Sequence, residues 1–268
     1  MLGPLLLAVG AGVAVLRVRA ARRTERAYAD VRPPGIDGVV PGAEGFTLEG
    51  STGCALLMLH GFGDTPQTLR YLGGRLHAAG FTVRAPLLPG HGRGLRDFAA
   101  ARAEDYASAA RDELARLRER ASWVGVIGLS MGGAAAVLGE LPADAMVLEA
   151  VYADFSKAVE NRLAFLLGAP GRYLAPMLTW QVQLRLGFDY KVLQPAERIS
   201  KLRVPLLLIA GGDDGLATLE EAKTLFARAR QPKQLWVIPG ARHVDFHYHY
   251  PTEYERRVLV FLRRRLNR

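Results

Sequence analysis

The chain has 268 residues, half of them hydrophobic and 23% charged, which suits one α/β unit with a large core. Its single cysteine, Cys54, excludes an internal disulfide and any cysteine-based zinc framework, and its apolar run suits a small core residue. The formal charge of +9 is concentrated at the two chain ends, and no zinc-finger, helix-turn-helix or RNA-binding signature lies between them, so nucleic acid is not an expected partner.

Leu2 to Leu16 carries no charged side chain, and Arg17, Arg19, Arg22, Arg23 and Arg26 follow at once. As a helix the uncharged stretch reaches about 25 Å, slightly short of a hydrocarbon core of about 30 Å. A secretory signal carries its positive charge before the apolar stretch, whereas here the order is reversed, and Val18-Arg19-Ala20 is a poor cleavage site. Residues 1–26 are therefore expected to form a short membrane anchor with a basic flank. The positive-inside rule then puts the rest of the chain in the cytoplasm; a cleaved signal and a secreted protein are the alternative. Residues 27–44, with Pro33-Pro34-Gly35 and Pro41-Gly42, read as an extended linker, leaving 45–268 as the folded domain.

From there apolar and helical patterns alternate. Aliphatic runs at 55–59, 81–85, 123–127, 145–149, 205–210 and 234–238, each bounded by Gly or Pro, predict buried strands. Helix-period segments lie between them, at 66–79 after an Asp64 or Thr65 N-cap and at 103–120 with Leu114 and Leu117 on one face. Thr218-Leu-Glu-Glu221 and Thr252-Glu-Tyr-Glu255 have the spacing of capping boxes and predict two more helix starts. Such alternation implies a mostly parallel sheet covered on both faces, with ligands at the carboxyl ends of its strands. Residues 153–201 break the rhythm. They carry Phe155, Phe165, Tyr173, Trp180 and many leucines, too apolar to lie open to water, and read as a small helical cap inserted over that end of the sheet. Ordinary covering helices are the alternative.

The chemistry-bearing residues fall just past strand ends. Gly128-Leu129-Ser130-Met131-Gly132, between a strand and a helix, has the pattern of a nucleophile elbow, in which small neighbours let a serine occupy a strained turn. A serine hydroxyl needs a base, an orienting carboxylate for that base and donors for the developing oxyanion. The amide of Met131 and that of Phe62, in the strand-to-helix loop His60-Gly61-Phe62-Gly63, are the candidate oxyanion donors. Two carboxylates follow a late strand in Gly211-Gly-Asp-Asp214; Asp214 is preferred over Asp213 from its spacing to Gly211. His243, in Pro239-Gly-Ala-Arg-His243 after the last strand, is the candidate base. His60, which lies within the turn and is read as shaping the first loop, Gly61 beside it, His91 at the rim, and Phe155 and Trp180 in the cap are candidate substrate contacts. His243, His247 and His249 lie close enough for a metal, but only Asp245 could complete the set and His243 already has a role, so no metal is assigned.

Taken together, His60-Gly-Phe-Gly63, Pro89-Gly-His-Gly92, Gly128-Leu-Ser-Met-Gly-Gly133, Gly211-Gly-Asp-Asp214 and Gly240-Ala-Arg-His243 make residues 44–266 resemble the α/β-hydrolase fold family. The likeness is to bacterial carboxylesterases and monoacylglycerol-lipase-like enzymes. Leu148-Glu-Ala-Val-Tyr-Ala-Asp154 is similar instead to membrane-associated serine hydrolases related to prolyl-oligopeptidase catalytic domains, and Leu216-Ala217 replaces the family's frequent Val-Pro after the acid. The order Ser130, Asp214, His243 is the one that the family uses. The resemblance implies acyl transfer to water by a serine esterase, with no metal or organic cofactor. An apolar cap beside a membrane anchor suggests a lipid-like ester substrate. A thioester or peptide hydrolase is the alternative, and a non-catalytic binding protein of the same fold a weaker one.

Overall fold

The computed structural model describes residues 2–186, 193–243 and 246–266, and of residues 2–14, 182–186 and 248 the backbone only. The chain opens with helix α1 (Leu2–Val31) and continues through β1 (Phe46–Leu48), β2 (Cys54–Leu59), α2 (Arg70–Ala78), β3 (Thr82–Ala85), α3 (Leu95–Ala100), α4 (Ala103–Arg118), β4 (Trp123–Leu129) and α5 (Met131–Leu138). There follow β5 (Ala145–Glu149), α6 (Phe155–Leu167), α7 (Ala175–Leu186), α8 (Pro195–Arg198), β6 (Leu206–Gly211), α9 (Leu219–Arg228), β7 (Lys233–Ile238), α10 (Phe246–His249) and α11 (Pro251–Leu266).

Among the described residues the strands form one sheet in the order β1-β3-β2-β4-β5-β6-β7. All pairings are parallel except that of β1 with β3. The six strands expected from the aliphatic runs are present with ends shifted by a residue or two. The additional strand, β1, is three residues long, too short for its alternation to be read in the sequence.

Alternate strand residues face opposite sides, so each run feeds two cores. Leu57, Leu59, Val126, Leu148 and Leu208 pack under Leu114 of α4, Ala134 of α5 and Leu225 of α9. Leu56, Met58, Ile127, Val147 and Ile209 pack against Leu72 of α2 and Tyr254 and Val258 of α11. Each such side chain is buried, at roughly 1.5–3 kcal/mol of transfer free energy apiece. Successive strands run outward from β2 to β3 and then back to β4. The carboxyl ends of β2 and β4 therefore flank the crevice where such sheets place ligands.

Several local expectations shift. The helix expected over 66–79 begins as a 3-10 turn, Pro66–Leu69; its start is closed by Asp64, whose Oδ1 accepts the Thr65 N–H at 2.8 Å, while the Thr65 side chain makes no capping bond. The Thr218 capping box forms as expected, with Thr218 Oγ1 accepting from the Glu221 N–H and Glu221 Oε2 from the Thr218 N–H. The second one does not. α11 starts two residues earlier than a Thr252 cap would set it, at Pro251, which tolerates the first helical position, and Glu255 instead accepts from Tyr71 Oη at 3.1 Å and Arg75 Nε at 2.9 Å on α2.

At the N-terminus helix α1 continues through Val31, five residues into the segment expected to be extended. Among the described residues no helix is long and apolar enough to cross a membrane; the apolar side chains behind the expected anchor, at 2–14, lie outside the description. Between β5 and β6 the inserted segment is helical, built from α6, a 3-10 turn (Ala169–Leu174), α7 and α8, with 187–192, including Phe188, outside the described residues. Contrary to expectation its apolar side chains are not withdrawn from water. Phe165, Leu166, Leu167, Tyr173, Met177 and Trp180 are all at least half exposed, because two short helices lying at one end of the sheet can turn only one face each toward it.

Candidate active site

β4 ends at Leu129 and α5 begins at Met131, so Ser130 alone makes the turn. Its backbone sits at φ 47° and ψ −111°, a region that L-residues rarely occupy. The flanking glycines are required sterically. A Cβ on Gly128 would lie 2.5 Å from Gly133 Cα, and one on Gly132 would lie 2.4 Å from the Leu59 carbonyl oxygen. The turn is anchored across the sheet by the Ser130 N–H, which donates to the Glu149 carbonyl at 2.7 Å.

Past β6, Asp214 turns inward and its side chain is fully buried. Its Oδ1 accepts the Leu216 and Ala217 N–H groups at 2.8 and 2.9 Å, and its Oδ2 accepts Nδ1–H of His243 at 2.8 Å. Three donors satisfy the carboxylate, and with Nδ1–H given to Asp214 the His243 ring keeps Nε2 as its acceptor nitrogen. Asp213 is exposed, and of the two carboxylates it is Asp214 that meets His243.

Gly61, Phe62, Ser130, Glu149, Arg162 and His243 are among the residues lining one cavity of about 310 Å³. Phe62 is exposed at its mouth, and its ring packs on Phe98 at 4.8 Å. Met131 buries its side chain in the core, and its N–H belongs to the first turn of α5, where no intrahelical acceptor is available.

Of the expected substrate contacts only Gly61 reaches this cavity. His60 is fully buried: Leu88 N–H donates to its Nε2 at 3.0 Å, and its Nδ1–H donates to the Gly61 carbonyl at 3.0 Å. Burial pushes its pKa down to about 4, so it is a neutral strut between two loops. His91 is likewise buried, with a pKa lowered by desolvation, and its ring meets those of His60, Phe98 and Tyr106 edge-on. It backs the Phe62 loop and does not line the cavity. Phe155 on α6 and Trp180 on α7 are not among the residues that line it, Trp180 being 60% exposed. In the histidine cluster His243 pairs with Asp214, whereas buried His247 stacks on Tyr71 and meets Tyr254 edge-on.

Two cavity residues escaped sequence reasoning. Glu149 is a carboxylate that ends an otherwise apolar strand and is buried, its Oε1 accepting the Phe246 N–H at 3.2 Å. A charge closing a buried strand was the available signal. Arg162 has no comparable signal, since only the placement of α6 brings it to the cavity.

Comparison with known proteins places these features in a family. The chain is 38% identical over 95 residues to the thermostable monoacylglycerol lipase of Bacillus sp. (strain H-257), a match over 35% of this chain and 38% of that protein. The matches span less than half the length of these curated relatives, 38% of one and 47% of a second, an uncharacterized protein of Bacillus subtilis (strain 168). Among solved structures, the metagenome-derived lipolytic enzymes LipS and LipT are represented by a chain similar at a TM-score of 0.67, with 22% identity over 84% of this chain and 99% of that one. A membrane phospholipase A, described as a bacterial virulence factor, is similar at a TM-score of 0.59 and 20% identity, over 98% of this chain and 97% of the other. These structural likenesses concern the fold. The model of the alpha/beta hydrolase family matches residues 56–257, and with the sheet order and the strained Ser130 turn it establishes that this chain belongs to the α/β hydrolase family.

Proposed function

We propose that this chain hydrolyses carboxylic esters through Ser130, His243 and Asp214 by way of an acyl-enzyme. One observation carries the reading: Ser130, held in a strained turn, shares a cavity with His243, whose Nδ1–H is bonded to buried Asp214. In this mechanism His243 Nε2 takes the Oγ proton as Ser130 attacks the ester carbonyl carbon. The oxyanion is received by the N–H groups of Phe62 and Met131, each worth roughly 3–4 kcal/mol in the barrier. The C–O bond to the alcohol then breaks, and the alcohol leaves with the proton from His243. Water gives a proton to His243 and attacks the acyl carbon, and Ser130 recovers its proton as the acid departs. Asp214 stays ionised throughout and stabilises the imidazolium.

Residues 45–268 act as the hydrolase domain in this reading, with 153–201 as its cap. The likeness to a monoacylglycerol lipase and the exposed Phe165, Leu166, Tyr173 and Trp180 on the cap favour an apolar, lipid-like acyl ester met at a membrane or micelle surface. Labelling with a fluorophosphonate probe tests the nucleophile: wild type is expected to label and Ser130→Ala not to. Rates on p-nitrophenyl esters of increasing chain length test the acyl preference, and fastest turnover of the acetate would count against it.

A further inference from the structure

The cavity beside Ser130 contains a cation that ester hydrolysis does not call for. Nucleophile, base, acid and oxyanion donors are all assigned without Arg162, yet Arg162 lines the same cavity as Ser130 and His243. Its neighbour on the preceding turn, Lys157, is paired with Glu160 at 3.0 Å, whereas Arg162 has no ion-pair partner among the described residues.

The helix under Arg162 is fixed at that turn. Asn161 Nδ2 donates to the Leu216 carbonyl at 3.2 Å and to Glu221 Oε2 at 3.0 Å. Glu221 is buried, and its Oε1 accepts the Ala153 N–H at 3.2 Å, just before Asp154 caps α6 through the Lys157 N–H. Leu216 is itself held by Asp214. Arg162 and the acid partner of His243 therefore hang from one hydrogen-bonded frame.

The two carboxylates on the cavity wall are engaged by protein donors. Asp64 accepts from the Thr65 N–H and the Thr68 hydroxyl, both at 2.8 Å, and buried Glu149 accepts from the Phe246 N–H. The exposed guanidinium is left as the group in the cavity suited to an incoming charge. Its planar donor fork matches a carboxylate or phosphate.

We propose that Arg162 forms an anion subsite, so that the preferred substrates are esters bearing a carboxylate or phosphate close to the scissile bond, with Arg162 as the specificity-determining residue. The proposal rests on the ester-hydrolase reading above. Because Arg162 is exposed, the preference is modest, about threefold, and falls as salt rises.

Two matched pairs test it with the purified full chain. One is p-nitrophenyl hexanoate against p-nitrophenyl hydrogen adipate, which differ by an acyl-side carboxylate. The other is hexanoylglycerol against hexanoylglycerol phosphate, which differ by an alcohol-side phosphate. The expected result is that kcat/KM is about threefold higher for the anionic member of at least one pair. Which pair shows it tells the side on which the anion sits. Arg162→Gln should erase that ratio and Arg162→Glu should invert it, with fluorophosphonate labelling of each variant checking that the site remains assembled. Hydrolysis of the neutral members by wild type with no anionic preference in either pair, or a preference that survives Arg162→Gln, would overturn the proposal alone. Failure of wild type to hydrolyse any of the four esters or to label would overturn the ester reading and the subsite with it.

Discussion

The N–H of Ser130 donates to the carbonyl oxygen of Glu149 at 2.7 Å, while the carboxylate of the same Glu149 accepts the N–H of Phe246 at 3.2 Å. One residue at the end of β5 thus holds both the Ser130 turn and the segment that follows His243. Removing the carboxylate deprives a buried N–H of an acceptor, a loss of about 1–3 kcal/mol, and loosens the segment behind the base. Small misplacement of a base is costly in rate, so Glu149→Ala is expected to lower kcat about 10- to 100-fold with a smaller change in KM. Glu149→Gln keeps an accepting oxygen and should recover most of the loss. Steady-state kinetics on p-nitrophenyl butyrate checks both; equal damage from the two variants would assign the effect to charge instead of the hydrogen bond.

The strain at Ser130 separates activity from stability. Ser130→Ala and Ser130→Gly should both reduce turnover by at least about a thousandfold, since each removes the nucleophile. Only glycine relaxes the positive φ, at the expense of a more flexible unfolded chain. The glycine variant should therefore be the more stable of the two by about 1 kcal/mol. Urea unfolding of the two variants side by side measures this difference, and an equal or lower midpoint for glycine would contradict it.

Adjacent carboxylates should behave very differently. Asp214→Asn removes the charge that holds the His243 tautomer and is expected to lower kcat by about ten-thousandfold. Asp213→Asn alters an exposed side chain and should change kcat by less than about threefold. Parallel kinetics on the two variants decides the assignment.

His60 makes acid sensitivity predictable. Its folded pKa, depressed to about 4 by burial, lies below the usual value near 6.5, so the folded state favours the neutral ring. The stability linked to this group is fully present above about pH 6.5 and is lost as pH falls toward 4, where the unfolded chain takes up the proton first. The full effect is on the order of 3 kcal/mol. Urea midpoints between about pH 7.5 and 4 should fall steeply for wild type and less steeply for His60→Gln, whose ground-state stability is lower but which cannot titrate.

The chain's linear order carried most of the fold and the chemical groups of the site. Strand-forming runs, the glycines around Ser130 and the capping box at Thr218 are legible because they answer to local forces: hydrophobic period, steric room in a turn, and satisfaction of a helix's first amides. The same locality explains the misses. At Thr252 the capping pattern was present, but Glu255 found better partners on α2, which lies 180 residues earlier. His60 shapes its loop as its place in the turn predicts, but it does not touch substrate space, because Leu88 and Gly61 occupy both its nitrogens.

The sequence by itself therefore determined an α/β sheet carrying a serine, an acid and a histidine past its strand ends. Only the tertiary structure decided that Asp214 and not Asp213 meets His243, that Glu149 braces two segments, and that Arg162 lines the same cavity as Ser130. The reason is physical. Strand and turn preferences are set by neighbours along the backbone, whereas which side chain is buried, bonded or left facing a cavity depends on segments brought together by packing from distant parts of the chain.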